Sequence, residues 1–344
     1  SIYIYSHGYQ FDVGTQRDGA SDSDSHDKAQ NLNVKVKVCD PTEGLEENCV
    51  DYGGYYKPEG LIQKNNDRMR FALMSYNRDN EHGRDGGVLR SKMKYVGPYL
   101  PSGADNTDKE WGTDGIIIDD PENNPDGNSG IINYLNKFGA SGYKSYDPTS
   151  ELFYECINYY KNRGRTPEYA DGLTVDEKDG FPVITVWDDP IQYTCQANYI
   201  VGINDANPWH DKKLPGTFFT TDEVENSGDL DWSDYVAPVS SDPAINVRTL
   251  TNTVGQLQGI NGTNRCVGCT VNDCDWNATD KLIPGLGEVA GTCPWPPKQN
   301  SYYIAGLAYY ANANDIRAMA GRQTVTTFMI DTQEYSSNPL TGEM

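Results

Sequence analysis

The sequence predicts an α/β fold built on an incomplete parallel sheet, and three observations carry that prediction. A short apolar run at 199–203 empties into carboxylates and amides, helical periodicity lies on both sides of it, and a second β-type run, TVTTFMID, follows at 324–331. Tyr199, Ile200, Val201 and Ile203 form a continuous β-favouring stretch, as suits a strand buried on both faces of a parallel sheet. Asp205 stands just past its carboxyl end, where open α/β sheets bind ligands, so Asp205, Asn207 and Asp211 are the first candidate site residues. A plain polar loop after a strand accounts for the same residues equally well.

Composition bounds the function. The 344 residues suffice for one large domain or two ordinary ones, with a core that need not depend on disulfides. The 28 basic and 50 acidic residues leave a net charge of -22, which argues against nucleic acid or anionic lipid as a partner and favours cations. With 34 Gly, 19 Pro and 24 Tyr at 37% hydrophobic content, the chain reads as loop-rich, β-containing and secreted. No run approaches the roughly 18 apolar residues of a membrane span, and Ser1 opens no recognisable signal peptide. The expectation is a soluble chain, processed or excised from something longer.

In chain order, SIYIYSHGYQFDV alternates at the start, and GTQRDGASDSDSHDKAQ is a polar tract with too little apolar content to pack, read as a mobile surface loop. From 34 to 120 the signals are β: Val34, Val36 and Val38 alternate with Lys35 and Lys37, and MRFALMSY and GVLRSKMKYV flank the polar turn NRDNEHGRDG. In that turn Asp79, Glu81 and Asp85 depart from EF-hand spacing and are read as solvated. A second acidic loop, DDPENNPDG, offers Asp119, Asp120, Asn123 and Asp126 as oxygen ligands for calcium. After 128 the period becomes helical. Ile131, Ile132, Leu135 and Phe138 share one face, closed by Gly139; Leu152, Phe153, Cys156, Ile157 and Tyr160 mark a second helix, capped by Asp147 with Pro148 at its first position and closed by Gly164. The stretch from 206 to 300 reads mostly as loop, including EVENSGDLDWSDY, except for a helix through Val247, Leu250, Val254 and Leu257 that carries a cysteine-rich excursion. A last helix runs through Ile304, Leu307, Ala308 and Ala311 into the second buried strand, and strand, helices, strand make a right-handed crossover unit. Residues 1–128 thus form a β-rich insertion or subdomain, and 129–344 the α/β portion with its insertion at about 206–300.

Eight cysteines, at 39, 49, 156, 195, 266, 269, 274 and 293, form an even set. Cys39 and Cys49 flank a turn-rich segment, a natural small disulfide loop. Cys156 and Cys195 are placed to staple the second helix to the sheet. Cys266, Cys269, Cys274 and Cys293 read as disulfides or as a zinc site, with disulfides favoured by the extracellular-looking composition and their pairing open.

Hydrolase signatures are sparse. Asp188 and Asp189 are adjacent, and on an extended chain they point to opposite faces rather than converging. His7, His26, His82 and His210 sit in polar loops without His-x-x-x-His spacing, and Trp209 with His210 offers either a ligand surface or simple packing. The enzymatic alternative is a secreted metal-dependent enzyme using the carboxylates near Asp205.

Long phrases point to a family. WDDPIQYTCQANYIVGIND with HDKKLPG, together with VKVKVCD, YYKPEGLIQK, MRFALMSYN, DGGVLRSKMKYVG, SGIINYLNKFG, DPTSELFYE and YYIAGLAYYANANDIR, resembles the PilC/PilY family over roughly residues 30–335. These are large type IV pilus tip proteins that combine a von Willebrand A-like domain with a C-terminal β-propeller. The resemblance implies a von Willebrand A-like fold without the propeller and a noncatalytic adhesin and pilus biogenesis role. It implies minor pilins or the pilus tip complex and a host or abiotic surface ligand as partners. The implied location is the pilus tip outside the cell, reached through the periplasm. It also implies a divalent cation, calcium or magnesium, held by Asp205 and Thr149 with Asp147 as a substitute ligand. The Asp-x-Ser-x-Ser element of such sites is missing, since Asp24 stands where its first serine belongs, so the site is partial.

Overall fold

The computed structural model describes residues 37–78, 86–139, 144, 146–205, 207–211, 213–219, 242–293 and 295–332. The alternation at 1–13 with His7, the polar tract with Asp24 and His26, Val34 and Val36, the turn with Asp79, Glu81, His82 and Asp85, and EVENSGDLDWSDY lie outside these residues.

The architecture is mixed α/β. In chain order the elements are β1 (Cys49–Asp51), β2 (Tyr56–Pro58), α1 (Leu61–Lys64), β3 (Phe71–Tyr76), β4 (Gly87–Lys94), α2 (Ile131–Lys137), α3 (Thr149–Tyr160), α4 (Pro167–Ala170), β5 (Asn198–Asn204), α5 (Val247–Leu257), β6 (Asn264–Thr270), β7 (Cys274–Leu282), β8 (Val289–Thr292), α6 (Tyr303–Ala313) and β9 (Val325–Asp331). β5 and β9 pair in parallel, from Asn198 opposite Val325 to Asn204 opposite Asp331, so the strand, helices, strand unit read from the sequence is present. β3 and β4 form the antiparallel hairpin expected from MRFALMSY and GVLRSKMKYV.

The main core explains why these elements meet. Phe153, Tyr154, Ile157 and Tyr160 from α3, Ile200 from β5, Val247 from α5, Tyr303, Leu307, Tyr310 and Ala311 from α6, and Val325 from β9 bury together, with Met93 of β4 packed against them. Apolar residues three and four apart put one stripe of each helix into this cluster, and removing that area from water is the main favourable term. α5 and α6 approach closely because residue 306 is glycine: a Cβ there would lie 2.6 Å from the backbone nitrogen of Thr251. Asn246 caps α5, its side chain accepting the N–H of Thr249 at 2.9 Å.

The secondary structure departs from the sequence reading in four places. Among the described residues β5 is covered on one face only: Asn198 and Ile200 are buried, while Tyr199, Val201 and Ile203 are 48%, 61% and 62% exposed, because β9 is its sole strand partner there and α3 and α6 pack on one side. In α2 the buried residues are Ile131, Ile132, Asn133 and Tyr134, leaving Leu135 and Phe138 exposed, because the helix docks through its first turn onto Val96 and Trp111; Gly139 then takes the expected positive φ of 75°. Asp147 does not cap α3. Pro148 holds the cap position without a side-chain bond, and the carboxylate is drawn elsewhere. Finally, 264–292 is not loop but a three-stranded antiparallel sheet ordered β7-β6-β8, with its own small core of Val267, Ile283, Leu286 and Val289.

Three disulfides are formed: Cys39–Cys49, Cys266–Cys293 and Cys269–Cys274. Cys156 and Cys195 are free thiols, contrary to the staple expected between them. Cys156 packs against the main core, and burial pushes its thiol up to about 12, while Cys195 is exposed in the turn before β5.

Candidate cation-binding site

The carboxyl end of β5 gathers residues from three segments. β3 ends at Tyr76, whose carbonyl accepts Nη2 of the buried Arg90 at 2.9 Å, and this fixes the strand end. From there the Tyr76 hydroxyl lies 3.0 Å from Thr149 Oγ1, in the first turn of α3, and 3.5 Å from Asn204 Oδ1, the last residue of β5. Asn204 Nδ2 donates to Thr149 Oγ1 at 2.5 Å and to Asp147 Oδ2 at 3.3 Å. The loop after β5 then folds back: Asp205 Oδ1 accepts the N–H of Asn207 at 2.7 Å, and Asp147 Oδ1 accepts the N–H of Trp209 at 3.1 Å. Asp211, fully buried, holds this loop against α3 by accepting from Ser150 Oγ at 2.6 Å and from the Ser150 N–H.

Asn204 thus joins Asp147 to Thr149, and Asp205, the next residue, is near enough for its charge to act on Asp147. Asn207 and Asp211 shape the loop that closes over them. Asn204 and Tyr76 were missed in the sequence, although each is the last residue of a strand and Asn204 directly precedes Asp205.

Electrostatics mark the site. Burial, then the neighbouring Asp205 charge, raise the Asp147 carboxyl from its ordinary 3.8 to about 7. Burial and the charges of Asp147, Asp211 and Glu151 push the Tyr76 hydroxyl well above its usual range. Two carboxylates and a hydroxyl form an all-oxygen donor set, and their mutual repulsion is the kind a hard cation relieves. The residues fit such an ion as a partial shell, with most coordination positions left to water or other groups.

The other candidates are not assembled. In the acidic loop Asp119 faces Lys137 at 3.6 Å, Asp120 accepts from the Asn124 N–H at 2.9 Å and from Ser129 Oγ at 2.5 Å, and Asn123 takes a left-handed φ of 53°. Asp119, Asp120 and Asp126 do not converge as a carboxylate trio among the described residues, since the sole His/Cys/Asp/Glu group of that kind there is Cys39, Glu46 and Cys49, two of which form a disulfide. Asp188 and Asp189 diverge as expected, Asp188 to Lys92 at 2.8 Å and Asp189 to Arg317 in a fork at 2.8 and 2.6 Å. Trp209 and the buried His210 pack on Tyr146, which favours the packing reading of that pair.

Residues 144–311, which include α3, β5 and both sides of this site, match a family described as PilY1 homolog, second domain. Two proteins of Xylella fastidiosa, each named Type IV pilus biogenesis factor PilY1 homolog, are similar: one is 39% identical over 335 residues, covering 88% of this chain and 25% of that protein, and the other 25% identical over 347 residues, covering 86% and 21%. The chain spans a quarter or less of the length of these relatives. No solved structure matches it.

Proposed function

The chain belongs to the PilY1 family, and on that premise we propose that it is the von Willebrand A-like, ligand-binding part of a type IV pilus biogenesis factor, acting without catalysis at the pilus tip. The observation that carries this reading is the oxygen cluster at the end of β5, where a half-buried carboxyl pushed to about 7 stands against a second carboxylate. Asp147, Thr149 and Asp205 would hold calcium or magnesium. When bound, that ion supplies a fixed positive charge that neutralises the carboxylate pair and offers an open position to an acidic group of a partner. Asn204 and Tyr76 keep Thr149 oriented, and Asp211 keeps the loop of 205–211 in place. Minor pilins of the tip complex and a host or abiotic surface ligand are the proposed partners. Export through the periplasm fits the three disulfides, which form in an oxidising compartment.

The test is binding of minor pilins to the immobilised chain with calcium, with magnesium and with chelator, for wild type and Asp205→Ala. Cation-dependent binding lost in the variant supports the reading. Equal binding by both proteins in every condition, or none by either, overturns it.

A further inference from the structure

The sequence holds two asparagines followed two residues later by threonine, Asn261-Gly262-Thr263 and Asn277-Ala278-Thr279. Asn-x-Thr with x other than proline is the acceptor motif for N-linked glycans, but a motif this short recurs by chance, and structural context must discriminate between the two. Asn261 is structural. Its Nδ2 donates to the Asn252 carbonyl at 2.8 Å and its Oδ1 accepts the Leu286 N–H at 3.0 Å, so both ends of the amide serve to join α5 to the segment before β8.

Asn277 is displayed instead. It stands on β7, an outer strand in the order β7-β6-β8 among the described residues. Cys274 pairs with Cys269 and Thr279 with Val267, so the longer stretch of β7 between those pairs is pushed out of the ladder as a bulge. The disulfide Cys269–Cys274 ties one end of the bulge, and the pairing of Thr279 holds the other. Within it Trp276 takes a left-handed φ of 57°, and its half-buried ring stacks on Phe219 with centroids 6.4 Å apart. Asp275, Asn277, Ala278 and Thr279 are exposed. The Asp275 carboxylate accepts the Asn277 N–H at 3.0 Å, interacts with the Asn277 side-chain amide and pairs with Lys281, which leaves an ionised group beside the motif for an enzyme to recognise.

We propose that Asn277 is a glycan acceptor, taking an N-linked oligosaccharide from a donor activated as a lipid-linked diphosphate. The step is a substitution at the anomeric carbon of the donor. A bond forms from Asn277 Nδ2 to that carbon, the bond from the carbon to the diphosphate oxygen breaks, and one amide proton leaves with the lipid diphosphate. The three disulfides place the folded chain in an oxidising compartment, where a donor held in a membrane serves better than a cytosolic one. A bulky, solvated glycan at the bulge would also shield the outer edge of β7 from pairing with another strand. The inference rests on the bulge and is independent of the cation site.

The experiment isolates the full-length protein from the cells that make it, reduces and alkylates it, and maps its tryptic peptides by mass spectrometry. The two motifs fall on separate peptides, Thr249–Arg265 and Cys266–Lys281. The expected result is Cys266–Lys281 heavier by the mass of an oligosaccharide, with sugar fragment ions, and Thr249–Arg265 at its plain mass. Made in the same cells, Asn277→Gln and Thr279→Ala should lose the added mass and Thr279→Ser should keep it, all three with the wild-type disulfide map. Cys266–Lys281 at its plain mass in the native protein would overturn the proposal. So would a glycan confined to Thr249–Arg265, or an added mass that survives Asn277→Gln.

Discussion

Replacing Asp147 with asparagine removes a charge that the fold disfavours. The carboxyl rises from 3.8 to about 7, close to three units, and at about 1.4 kcal/mol per unit the ceiling on the effect is about 4 kcal/mol. Partial exposure of the side chain halves that to about 2 kcal/mol by screening, and Asn Nδ2 facing the Asn204 amide removes about 1 kcal/mol more by losing one acceptor. A carboxyl raised by folding makes the native state bind more protons than the unfolded chain between about pH 4 and pH 7. Wild-type stability therefore falls as pH rises through that window and levels off above it. Asp147→Asn lacks this dependence. Thermal unfolding in chelator, followed by circular dichroism, should show no gain for the variant at or below pH 4 and a gain of about 1 kcal/mol at pH 8, a few degrees in Tm for a chain of this size. Calcium or magnesium at pH 8 should then raise the wild type and leave the variant unmoved. A variant that is no more stable than wild type at pH 8, or a difference that ignores pH, would refute the reasoning.

Other outcomes follow from the same structure. Asp205→Ala should fold normally, lower the pH at which the wild type's loss of stability with rising pH levels off, by removing the second cause of the Asp147 shift, and abolish any cation-induced rise in Tm, which calorimetry reads directly. Nonreducing peptide mapping should recover Cys39 with Cys49, Cys266 with Cys293 and Cys269 with Cys274, and a maleimide should label Cys195 but reach Cys156 only after unfolding; stoichiometric zinc would contradict this. Gly306→Ala should cost about 1–3 kcal/mol in chemical denaturation, because the added methyl meets the α5 backbone. Duplex DNA at physiological ionic strength should produce no salt-sensitive micromolar shift in electrophoretic mobility, given a net charge of -22.

The parts legible in the sequence were those written as one strong period. The two parallel strands, the β3–β4 hairpin and the helices around Ile157, Val247 and Leu307 follow from apolar spacing alone. Asp205 was a candidate from its place at the end of the strand, whereas Thr149 and Asp147 entered only through the family resemblance, because apolar spacing does not show which helix start lies beside which strand end. The three-stranded cysteine-rich sheet was not legible: along β7 only Lys281 is fully buried, so no apolar alternation announces it, and disulfides and a few residues such as Val267 replace a conventional core. The open face of β5 was hidden for the opposite reason. Ile200 and Val201 look alike in sequence, and only the set of neighbouring elements decides which of them meets water.

All three disulfides close within local segments, with separations of 10, 27 and 5 residues, the last nested inside the second, and none links distant parts of the chain. Pulled from its two ends, such a chain would lose its helices and its parallel pair to extension while two knots stayed tied. At about 3.3 Å per residue those knots withhold roughly 120 Å of contour, against more than about 1,100 Å for the whole chain. The protein is thus a spring with two short stops and a long free travel, and the covalent bonds that steady its small loops do almost nothing to limit how far it can be drawn out.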